Sequence, residues 1–121
     1  MRIPDPDRIA SLILETAVDN WDGEGAVPVE PQQWHRACDV LAQAAVELAG
    51  LPAPFVTACG DGAVHLQWTT PAGDRGVLEV ERIGYAWSFL PFHGDRHVRL
   101  DGGTVNDALR RVEAMFFPGE A

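Results

Sequence analysis

The chain contains no lysine. All nine of its basic residues are arginines, which excludes Schiff-base chemistry and a phosphate-loop lysine. An all-arginine basic set is what a GC-rich genome tends to encode. Basic residues are also few: 9 against 18 Asp and Glu, for a net charge of −9 and a pI near 4.6. Binding to nucleic-acid backbones or to an anionic membrane surface needs a surplus of cations, so neither is an expected partner. Long apolar runs are missing as well. The longest, from Val40 to Leu51, is broken by Gln43 and Glu47 and is too short and polar to span a bilayer. The opening Met1-Arg2-Ile3-Pro4-Asp5 carries no apolar signal segment, and the expectation is a cytoplasmic protein. Cysteine is limited to Cys38 and Cys59. Their spacing leaves a disulfide open, but a reducing compartment keeps both as free, mostly buried thiols.

What is present is an ordinary globular composition. With 121 residues, 46% of them hydrophobic, the chain can bury a core without staples, and residues 1–121 read as one domain. Asp5 and Pro6 open a helix whose apolar face is Ile9, Leu12, Ile13 and Ala17, ending near Asp19 or Asn20. A second helix starts at Pro31 and runs to about Ala49, with Trp34, Ala37, Cys38, Leu41, Ala45 and Leu48 as its apolar face and Gly50 as its stop.

The period then becomes two. Strands are expected at 55–58, 63–70, 76–82 and 85–90, with a short edge segment at 97–100. Val64, Leu66 and Trp68 share one face of the second strand, and His65, Gln67 and Thr69 the other. Leu78 and Val80 point inward, Glu79 and Glu81 outward. Tyr85, Trp87 and Phe89 lie together on the last long strand. Thr104 to Asp107 resembles a capping box before a final helix carrying Val105, Ala108, Leu109, Val112 and Phe116, which Pro118-Gly119 ends. The fold class is therefore α+β: two N-terminal helices, an antiparallel meander of four to five strands and a C-terminal helix in a two-layer sandwich, with the polar sheet face partly open to water.

No arrangement of residues spells a known reaction. Asn20-x-Asp22-x-Glu24-Gly25 mimics the start of a calcium loop, but its twelfth position is Pro31, which has no ligand; a structural helix–helix connection with Trp21 tucked inward fits better. His93 and His97 stand four apart with Asp95 between them, and His65 lies elsewhere. Zinc sites use such pairs, yet Gly94 and the neighbouring charges read as a solvated loop. Glu79 and Glu81 emerge on one sheet face, where His65 and Gln67 are candidate cross-strand neighbours. Paired carboxylates do acid–base work only in a cleft, and an open sheet face reads as solvated. Cys59 is close to His65, but no third orienting group is evident. Ser11 and Ser88 lack a nucleophile elbow. No catalytic set, cofactor or metal is expected. Most of the four tryptophans belong in the core, with Trp21 and Phe92 as candidate exposed anchors.

The run Asn20-Trp21-Asp22-Gly23-x-Gly25-Ala26-x-Pro28, with a later Leu66-Gln67-Trp68 strand, resembles an uncharacterised group of small bacterial and phage-borne proteins that share an N-W-D-G-x-G-A-x-P turn and an L-x-W strand. The resemblance covers about residues 17–90. It implies that the turn is a structural hallmark, and it brings no activity. In size and charge the chain is also similar to phage inhibitors such as anti-CRISPR proteins.

The function expected is that of a non-enzymatic, acidic interaction protein, similar to an anti-CRISPR protein or an antitoxin. It would bind and inhibit or regulate a basic protein, including one that handles nucleic acid. Asp22, Glu24, Glu79 and Glu81 would meet Arg and Lys of that partner, with Trp21 or Phe92 as anchor. The alternatives are a small metal-dependent enzyme using the His65, His93 and His97 group, and a structural subunit of a larger assembly. A homodimer through an open sheet edge belongs with these expectations.

Overall fold

Asp5 and Pro6 begin helix α1 (Pro6–Glu15) as their chemistry requires. The Asp5 carboxylate accepts the N–H of Asp7 at 3.0 Å, and Pro6 stands where no donor is needed. The computed structural model of the chain describes residues 5–93 and 97–117. α1 stops at Glu15, short of the expected Asp19 or Asn20, because Thr16 is claimed by tertiary contacts. Its N–H and hydroxyl both donate to Leu12 O, its carbonyl accepts from Val29 N, and Trp34 Nε1 donates to its Oγ1. Helix α2 (Pro31–Glu47) buries Gln33, Trp34, Ala37, Val40, Leu41 and Ala44. This stripe passes through Val40 and Ala44, so Cys38 lies on its flank and is exposed. The expectation of mostly buried thiols is corrected there. Both cysteines are free, and Cys59 is only half-buried.

Strands β1 (Phe55–Ala58), β2 (Val64–Thr69), β3 (Arg75–Val80), β4 (Tyr85–Leu90) and β5 (Val98–Asp101) form one sheet in sequence order, every pair antiparallel. Helix α3 (Val105–Phe116) follows, with the Thr104 hydroxyl accepting the N–H of Asp107 at 3.1 Å. The result is the expected α+β meander with its helices packed on one sheet face.

Directly opposed residues in an antiparallel pair share a face. The inner face carries Val56, Val64, Leu66, Trp68, Leu78, Val80 and Trp87, which meet Trp34, Val40, Leu41, Leu109 and Val112 of the helices in one core. Burying each of these large side chains stabilises the fold by roughly 1.5–3 kcal/mol before entropy is counted. Gly76 lets α3 settle closely: a Cβ there would run into the Met115 sulfur and the Trp87 ring. Gln33, buried in the first turn of α2, ties the layers together. Its amide donates to Gly62 O at 2.7 Å and Val80 O at 3.2 Å, and its Oε1 accepts from Glu30 N at 3.0 Å. Among the described residues no helix is long and apolar enough to cross a membrane.

Candidate functional site

The outer face of the sheet, which the helices leave uncovered, brings together titratable groups from three strands and two turns. Register places His65 opposite Glu79 and opposite Thr57, and Ser88 opposite Arg99. Cys59, just past β1, reaches back to the same face. The side chains form a chain across the sheet: Cys59 Sγ lies 3.4 Å from His65 Nδ1, His65 Nε2 lies 3.1 Å from Glu79 Oε1, and Glu79 Oε2 pairs with Arg99 Nη1. Arg99 also meets Asp101 at 3.0 Å and Glu81 at 3.8 Å. The His65–Glu79 approach is short but not aligned as a hydrogen bond, and Nε2 is buried without an aligned acceptor.

Glu79 is 7% exposed, so the expectation of solvated carboxylates is corrected for this residue. Arg99 on one side of it offsets the cost of taking its charge out of water, and the His65 ring lies against its other oxygen. Burial opposes the charge on Arg99, but Glu79, Asp101 and Glu81 outweigh it and hold the guanidinium's pKa above its ordinary value. The third group behind Cys59 and His65, not evident in the sequence, is Glu79. The pairing of a β2 histidine with a β3 carboxylate follows from the Pro71–Asp74 turn; the reach of Cys59 does not.

Nucleophile, imidazole and carboxylate in a row are the parts of a thiol catalyst, but here the chemistry runs the other way. Burial, then Asp61 and Glu79, push the Cys59 thiol above its ordinary pKa, so it stays protonated. Glu79 already meets His65 through one oxygen and Arg99 through the other. The arrangement holds a protonated thiol beside an ion-paired carboxylate.

The Asn20–Ala26 turn is folded around its own side chains. Asp22 Oδ1 accepts the N–H of Glu24 and of Ala26, and Asn20 Oδ1 accepts that of Gly25. Asn20, Gly23 and Gly25 have φ of 57°, 77° and 85°, which explains the glycines. These oxygens face backbone donors, as a structural turn requires. Trp21 is half-buried and donates from Nε1 to Val27 O at 2.9 Å. The turn docks on the β1–β2 hairpin: Val27 N donates to Gly60 O, and Asp22 Oδ2 lies 3.3 Å from where a Gly60 Cβ would be.

That docking gathers Asp22 and Glu24 with Asp61 of the β1–β2 turn, Glu81 and Arg82 of the β3–β4 turn, and Asp101 at the end of β5. All lie at one end of the sheet, beside the Cys59–Arg99 chain. Phe92, 65% exposed, sits at the opposite end, against Gly73 and the ring of His93. The structure therefore does not bring Phe92 to the carboxylates. His93 and His97 also flank the far end and are separated from His65; Asp95 lies outside the described residues. Among the described residues no three His, Cys, Asp or Glu side chains are placed to hold a metal ion.

The exposed apolar side chain that sequence reasoning missed is Ile83. It stands in the β3–β4 turn, 89% exposed, in an open recess of about 350 Å³ lined by Asp61, Ala63, Glu81, Arg82 and Ile83. The signal was present as an isoleucine in the turn Glu81-Arg82-Ile83-Gly84, where solvent normally selects polar residues. The chain matches no protein-family description, no curated protein and no solved structure.

Proposed function

We propose that this chain is a non-catalytic binding protein that takes a basic surface of another protein on the hairpin end of its sheet and thereby inhibits or regulates that protein. The observation that carries the reading is Ile83, an exposed apolar side chain set among carboxylates. Interfaces anchor on such residues, and a ring of like charge selects a partner of the opposite sign.

The local charge balance supports it. Arg36 commits its guanidinium to the carbonyls of Glu81 and Gly84, Arg82 pairs with Glu30, and Arg99 is shared by Glu79, Glu81 and Asp101. Among the described residues Glu24 and Asp61 have no cationic partner, so this end stays negative. A protein that itself binds nucleic acid offers the complementary surface, and blocking that surface would inhibit it.

The test is affinity capture from host lysate at low and high salt, with the wild-type chain and with a Glu24→Lys/Ile83→Arg variant. A single basic protein held at low salt, released at high salt and not captured by the variant is the expected result. Capture that ignores salt, equal capture by the variant, or no capture at either salt would overturn the reading.

A further inference from the structure

The two edges of the sheet are unequal. On β1, Val56 and Ala58 turn their backbone groups outward, and Arg8 occupies the first: Nη2 donates to Val56 O at 2.8 Å while the guanidinium covers the Phe55 ring at 4.6 Å. Among the described residues β5 has no such guard. All four of its residues are exposed, among them its inner-face side chains, Val98 at 42% and Leu100 at 38%. A bare edge with apolar side chains is a template for another strand.

Which strand fits can be read from the hydrogen-bond phase. Gly102 N donates to Tyr85 O, and hydrogen-bonded pairs alternate along an antiparallel ladder. Leu100 and Val98 therefore turn their N–H and C=O groups toward β4, and Arg99 and Asp101 turn theirs outward. An incoming strand must bond to Arg99 and Asp101.

We infer that β5 pairs with β5 of a second copy of this chain, antiparallel and centred on Leu100. In that register Arg99 of one copy exchanges backbone hydrogen bonds with Asp101 of the other, and the reverse, so opposite charges face each other on the outer sheet face. The two Leu100 side chains meet as a non-hydrogen-bonded pair, the closer kind of contact. Val98 falls opposite Gly102, which has no side chain to obstruct it. Sliding the register two residues either way sets Arg99 against Arg99 or Asp101 against Asp101, which repel. The sequence of β5 is thus self-complementary in this one alignment. Each Arg99 gains the second copy's Asp101 as a further anion, and the acidic hairpin ends point in opposite directions, away from each other. The inference does not depend on the proposed function.

A seam of four residues is small, and the dimer belongs to the weak, micromolar class. Sedimentation from about 10 μM to about 1 mM should show the mass rising toward twice the 13.2 kDa of the chain. Amide exchange at Arg99 and Asp101 should slow over the same range. Leu100→Lys, which sets two cations at the centre, and Asp101→Arg, which sets Arg against Arg, should each raise the dissociation constant about tenfold or more. Circular dichroism checks that both variants remain folded. A monomer over the whole range, a dimer that both variants leave unchanged, or a dimer without protection at Arg99 and Asp101 would each overturn the inference.

Discussion

The two faces of the sheet solve the same problem by different means. On the inner face, Val64, Leu66, Trp68, Leu78 and Val80 are covered by helices, and burial of apolar area holds them. Among the described residues no helix covers the outer face, yet Glu79, Val77, Ala86 and Ser88 are also buried there. What shields them is their own neighbours, and at the centre the Cys59–His65–Glu79–Arg99 chain. Apolar burial is non-directional and tolerates repacking. A chain of polar and charged groups is directional, and its value rests on every member staying paired. The inner face should therefore lose stability in proportion to volume removed, and the outer face in proportion to pairing lost.

The largest effect belongs to the inner face. Trp68→Ala removes a ring that is 1% exposed from the middle of the core and should cost about 3–5 kcal/mol in denaturant unfolding. Part of that loss is offset, because Trp68 Nε1 is buried without a hydrogen-bond partner among the described residues and its removal relieves an unsatisfied donor. A cost near the lower end of the range would show that offset; a cost under about 1 kcal/mol would mean that the inner face does not dominate the fold.

On the outer face, Glu79→Gln keeps the shape and deletes the charge. Arg99 is 40% exposed and can return to water, so the expected cost is about 1–2 kcal/mol, well below that of a fully buried pair. Double-mutant cycles with Arg99→Gln should return a coupling of similar size. Zero coupling would show that the network is ornamental and that the two faces are held alike.

The inner face was the more legible in sequence, for the same physical reason. A period of two in 64–69, 75–80 and 85–90 reports which side is apolar whatever the neighbours are, and the Pro71–Asp74 and Gly60–Gly62 turns supply the register. The helix starts at Pro6, Pro31 and Thr104 are likewise local chemistry. Illegible features depended on contacts between distant segments. Thr16 ends α1 through Val29 and Trp34. Gln33 is buried because it bonds to Gly62 and Val80. Glu79 reads as a solvated carboxylate until Arg99, from a strand twenty residues on, is placed beside it. Of the candidate binding residues, Asp22, Glu24 and Glu81 gather at one end, Phe92 goes to the other, and Ile83 supplies the apolar side chain that Phe92 was expected to provide.

The smallest effect concerns the thiol at the end of the outer chain. Burial, Asp61 and Glu79 raise the Cys59 pKa above its ordinary value. Between the unfolded and folded values the native state holds a proton that the unfolded state has released, so it binds more protons and stability must fall as pH rises. The contribution is fully present below the unfolded thiol value of about 8.5 and is lost as pH climbs through the higher folded one. Cys38 is raised too, by burial and Asp39, so the comparison is best made on a Cys38→Ser background. There, unfolding free energy should decline above about pH 8.5, and the further change Cys59→Ser should flatten part of that decline. Reaction of Cys59 with a disulfide probe at neutral pH should be slower than that of an unfolded control, because little thiolate is present. Fast labelling at neutral pH would mean that His65 takes the thiol proton in the native state, and the outer face would then carry an activated nucleophile instead of a protonated thiol.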